Sequence, residues 1–65
     1  MKPNEIRAHM LLKNVRSSDV AKKIGVSDAA VSMVIGGTAV SARISAEIAR
    51  VIGKPVSEIW PERAA

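Results

Sequence analysis

The chain has 65 residues, with 10 Lys+Arg against 6 Asp+Glu for a formal net charge of +4, and 48% of it is hydrophobic. That describes one small basic domain with a packed core, not a disordered tail. Cys, Phe and Tyr are absent and His9 is the single histidine, which excludes disulfide scaffolds, zinc fingers, thiol nucleophiles and aromatic stacking platforms for single strands.

No apolar run approaches the roughly 18 residues of a membrane span, and no charged-then-apolar signal opens the chain. The expectation is a cytoplasmic domain with no membrane partner and no cofactor. Strand-type alternation is missing and Ala is abundant, so the residues predict an all-α fold.

Five helices follow from the punctuation. Pro3 and Asn4 precede a first helix over Glu5 to Lys13, with Ile6 and Met10 spaced i, i+4 and Leu11 beside them. Asn14 ends it by taking the left-handed conformation, and Val15 turns inward. Ser17 or Ser18 caps a second helix running to Lys23, with Val20, Ala21 and Ile24 on its inner face. Gly25 stops it and Ser27 caps a third helix from Asp28 to about Ile35, which Gly36 and Gly37 end.

After a short loop over 38–40, Ser41 caps a fourth helix with an inner stripe of Ile44, Ile48 and Ile52. Arg43, Glu47 and Arg50 form its outer face. Gly53 closes it, and a last short helix from about Pro55 carries Val56, Ile59 and Trp60 before Pro61 terminates it.

The informative segment is Ser17 to Gly36, where two short helices are joined by the turn Gly25-Val26-Ser27. So short a connection forces a steep crossing. It needs a small residue at the contact, which Ala21 supplies, and a positive φ in the turn, which Gly25 allows. Apolar side chains must face the rest of the domain, and Val20, Ile24, Val26, Val31 and Val34 fall at those places. This is the pattern of a helix-turn-helix whose second helix enters the major groove of DNA.

A helical wheel at about 100° per residue sharpens that reading. Asp28, Ala29, Ser32, Met33 and Gly36 share one face of the third helix, while Ala30, Val31, Val34 and Ile35 share the other. A helix built only for solubility carries Lys and Glu outside; this one is small and nearly uncharged there. An ordinary corner of two helices explains Ala21 and Gly25, but neither the bare outer face nor the basic excess.

The run Ser17-Ser18-Asp19-Val20-Ala21-Lys22-Lys23-Ile24-Gly25-Val26-Ser27 resembles the helix-turn-helix of the phage-repressor (Cro- and Xre-type) superfamily. The stretch from Glu47 to Arg63, ending Ile59-Trp60-Pro61-Glu62-Arg63, is similar to the Ner-like (Nlp) branch of small phage and bacterial regulators. The likeness runs from Ile6 to Arg63. It implies a compact five-helix, lambda-repressor-like domain spanning 1–65, with the helix-turn-helix over 17–36.

It also implies roles. Ser27, Asp28, Ala29, Ser32 and Met33 face the bases. Ser17 and Ser18 meet phosphates through hydroxyls and backbone N–H groups. Gly37 and Thr38 bring backbone amides against the strand, and Arg43 reaches a phosphate or the minor-groove edge. No Arg, Asn or Gln lies on the reading face, so bidentate pairing to guanine or adenine is unavailable there. Ala29 and Met33 suit thymine methyls. Asp28 either accepts from a cytosine amino group or favours the positive end of its own helix, and the cost of a carboxylate near phosphates favours the second.

The function expected is a sequence-selective regulator binding double-stranded DNA, a repressor of phage or bacterial origin, with no small-molecule effector. The alternative on the same fold is an antitoxin or adaptor that binds protein. The acidic residues are scattered singly, so no enzyme is expected. Thin direct readout calls for a homodimer, formed on DNA, and Val56, Ile59 and Trp60 are the expected seam, since their helix is too short to bury them all. The rival reading has Trp60 close the core of a monomer.

Overall fold

The computed structural model describes residues 1–63, with α1 over Pro3–Leu12, α2 over Ser17–Ile24, α3 over Asp28–Gly36, α4 over Ala42–Ile52, α5 over Val56–Ile59 and a 3-10 turn over Pro61–Arg63. No strand occurs among the described residues. Positions 64 and 65 of the expected domain lie outside them, as does the side chain of Arg63 at the end of the expected Trp-Pro-x-Arg motif.

Local chemistry sets the boundaries. Asn14 turns left-handed at φ 58°, and the Val15 N–H returns to the Met10 carbonyl at 3.0 Å, which closes α1. Ser27 and Ser41 cap α3 and α4, their hydroxyl oxygens accepting from the Ala30 and Ile44 N–H groups at 3.1 and 3.3 Å. Neither Ser17 nor Ser18 caps α2. Arg16 holds that place, and its backbone N–H donates to the Asp19 carboxylate at 2.9 Å. An acid three residues into the helix supplies the reciprocal bond of a capping box, so the helix starts one residue earlier than the serines suggest.

The core gathers one face from every helix: Ile6 and Met10 of α1, Val20 and Ala21 of α2, Val31, Val34 and Ile35 of α3, Ile44, Ile48 and Ile52 of α4, and Ile59 with the adjoining Trp60. Two expectations change. Leu11 is 55% exposed, because on α1 the pair Ile6 and Met10 already fills the inward face. Ile59 and Trp60 are 0% and 1% exposed, so they offer no surface for a seam. The chain turns at Lys54-Pro55 and folds α5 back against α4, and the 2.6 Å bond from the Met1 ammonium to the Ile59 carbonyl ties this end to the start of the chain. Val56 is half-buried and packs on the same core. Of the rival reading, the placement of Trp60 in the core describes the structure.

Polar ties hold α2 to α4. The Glu47 carboxylate, with a side chain only 12% exposed, lies 2.6 Å from the Arg50 guanidinium and 3.4 Å from the Lys23 ammonium. It is therefore not an open outer-face residue but a bridge. The Arg50 hydrogen bond, with a smaller contribution from Lys23, holds the Glu47 carboxyl below the usual carboxylate range against a partial desolvation that opposes it.

A depressed acid stabilises the fold above its unfolded pKa, and that stabilisation disappears as pH falls through the lowered folded value. Glu47→Gln is thus expected to melt lower than the parent at neutral pH, by an amount matching ~1 kcal/mol or less, as solvent-screened pairs are worth. The two melting curves should converge once acid has protonated Glu47. A difference that persists unchanged in acid assigns the loss to packing instead.

Candidate nucleic-acid interface

The interface is built around the crossing of α2 and α3. Ala21, 4% exposed, sits where the helices meet. Gly25 turns the chain at φ 74°, in the left-handed region that a Cβ disfavours, and the Val26 N–H returns to the Ala21 carbonyl at 3.0 Å. Val26 then packs half-buried against the core, and α3 starts at a fixed angle from its Ser27 cap.

With Val31, Val34 and Ile35 pinned inward, the other side of α3 is presented outward. Ser27, Asp28 and Ala29 are exposed, Ser32 is half-exposed and Met33 is 48% exposed. The five residues expected to face the bases are therefore all at least partly exposed, from the Ser27 cap to Met33 of α3. No Lys, Arg or Glu occurs anywhere on α3, so nothing long holds a partner away from its backbone. Asp28 lies in the first turn, where a carboxylate is favoured by the helix's own positive end.

Ser17 and Ser18 are the first two residues of α2, both half-buried at its open end. The Asp19 and Val20 N–H groups go to the Arg16 carbonyl, at 3.0 and 3.2 Å, whereas no acceptor among the described residues takes the serine N–H groups. A helix start with free N–H groups and two hydroxyls suits an anionic oxygen.

Gly37 and Thr38 behave differently from expectation. The Gly37 N–H donates to Val34 at 3.2 Å and the Thr38 N–H to Met33 at 3.0 Å, and the Thr38 hydroxyl also donates to the Met33 carbonyl, at 3.2 Å. Their amides complete the end of α3, with Gly37 left-handed at φ 83°, and so are not available to a DNA strand.

Arg43 extends one guanidinium nitrogen 2.7 Å to the Ile24 carbonyl at the end of α2. It braces the helix-turn-helix against α4, and the side chain is otherwise exposed.

The charge is unevenly used. Lys23, Arg50 and Lys54 have carboxylate partners, and Glu47 and Glu58 are spent on them. Among the described residues, Lys2, Arg7, Lys13, Arg16, Lys22 and Arg43 have none. Apart from Lys2, which precedes α1, these cations lie on α1, α2, the joint between them and the start of α4. Arg16 was not singled out by the residue pattern; the acid three positions on, at Asp19, is the signal that makes it the cap.

A family model described as winged helix-turn-helix DNA-binding matches residues 1–64. The chain belongs to this family. No curated protein and no solved structure gives a significant match. As a member of the winged helix-turn-helix family it is a DNA-binding domain. It keeps the helical reading unit and shows no wing, since a wing is a strand pair and none occurs among the described residues. No helix among them is long and apolar enough to cross a membrane.

Proposed function

We propose that this protein is a sequence-selective transcriptional regulator of double-stranded DNA, a cytoplasmic repressor of phage or bacterial origin closest to the Ner-like branch, acting by occluding a promoter and not as an enzyme. The observation that carries the reading is the outward strip of α3, small, almost uncharged and rigidly aimed by the crossing at Ala21. In this reading Ser27, Ala29, Ser32 and Met33 approach base edges in the major groove, Asp28 serves its own helix, and Ser17 and Ser18 take a phosphate at the start of α2. Selection of bound duplexes from a random pool tests it: a preferred site should emerge, with affinity falling steeply as salt rises. A pool without enrichment would contradict sequence selectivity.

Arg43 separates a contact from a brace. If it meets a phosphate, Arg43→Ala should weaken binding to all duplexes alike and reduce the salt slope by about 1. If it only braces Ile24, the melting temperature falls while the slope stays as it was.

Apolar readout of a few base pairs is weak, and a module of this kind buries only about 600–1,000 Å² on DNA. We infer two copies on a two-fold site, with half-sites about one helical turn apart. With Ile59 and Trp60 in the core, that pairing depends on DNA. Sedimentation should give a monomer without DNA and two copies on a palindromic duplex; a one-to-one complex on the palindrome contradicts it.

A further inference from the structure

One groove lies outside the strip on α3. It runs between α1 and the joint to α2, with a volume of about 140 Å³. Its accessible apolar lining is the half-buried Val15, over the buried Met10 and Ile35, and Ser17 at the start of α2 lines it as well. Leu11, 55% exposed, forms one wall, and Arg7 and Arg16 stand at the rim. Neither guanidinium has a carboxylate partner among the described residues, and Asp19, the acid nearest Arg16 in the chain, is turned onto the Arg16 amide.

The geometry points to a docking site for an acidic segment of a partner protein that inserts one large apolar side chain between Arg7 and Arg16. Size supports one such side chain, since an enclosed apolar cavity of about 150 Å³ takes a benzene ring. Charge complementarity chooses the flanks: two unpaired guanidiniums beside an apolar floor favour Asp or Glu on either side of the inserted residue. Leu11 and Val15 favour this occupant over a nucleic-acid backbone, because a phosphate at Ser17 would have no use for either apolar side chain.

The test uses the intact protein and a short fluorescein-labelled peptide in which Leu-Phe is flanked by Asp and Glu. Two controls replace Leu-Phe by Ser-Ser or the acids by Lys. The acidic apolar peptide should raise fluorescence anisotropy on binding, and each control should bind about tenfold more weakly or worse. Leu11→Lys and Arg7→Glu, both at exposed positions, should each weaken the acidic peptide by about the same factor.

Absence of binding overturns the proposal, as does binding that neither variant disturbs. It is equally overturned if the Leu11 and Ile35 NMR signals move with duplex DNA and stay still with the peptide, which would make the groove an edge of the nucleic-acid interface.

Discussion

Trp60→Ala is expected to leave the domain largely unfolded at room temperature. Trp60 is 1% exposed and belongs to the same core as Ile6, Ile48 and Ile59, which are fully buried. Truncating a buried aromatic to alanine costs about 3–5 kcal/mol through lost transfer energy and the cavity left behind. A single core of this size supplies about the same total, on the order of 3–5 kcal/mol. Circular dichroism melting decides it. A variant that melts as cooperatively and nearly as high as the parent would mean that Trp60 contributes to a surface and not to the core. The experiment thereby also separates the buried Trp60 from the dimer seam its sequence position suggests.

The second large effect is on binding with the fold left intact. Ala29→Glu is expected to lower affinity for the selected duplex by roughly a hundredfold or more, since a like charge placed against phosphates costs several kcal/mol. Stability should hold within about 0.5 kcal/mol, as is usual for exposed positions, because Ala29 is exposed and an acid in the first turn of α3 is favoured by the helix end. Ala46→Glu, the same charge change at an exposed position of α4, should cost far less binding. Equal losses in the two variants would show that net charge, and not the face of α3, governs affinity.

Much of the framework that carries the candidate interface is legible in the sequence because it is local. Ser27, Ser41, Gly25 and Asn14 act on residues within one helical turn of themselves, and they mark element ends where the structure has them. The two faces of α3 follow from periodicity alone. The start of α2 is a local feature read too simply: two serines look like caps, but Asp19 takes the Arg16 amide and moves the boundary. Gly37 and Thr38 are a similar case, since a left-handed glycine after a helix draws the next amides back to its last carbonyls.

What stays hidden is nonlocal. The Arg43 bond to Ile24 joins residues 19 positions apart, and no pattern on α4 announces it. Glu47 reads as solvated until Lys23 of α2 arrives beside it. The short α5 looks unable to bury Ile59 and Trp60, and alone it could not; the cover comes from the core assembled by the other four helices.

The central claim, that the outer strip of α3 reads duplex DNA, is tested most directly by mapping amide NMR shifts of the labelled protein with its selected duplex. The account predicts the largest changes across Asp28 to Met33, with Ser17 and Ser18 next and little at the exposed positions of α4. Changes centred on α4 and α5, with Ala29, Ser32 and Met33 unmoved, would contradict it.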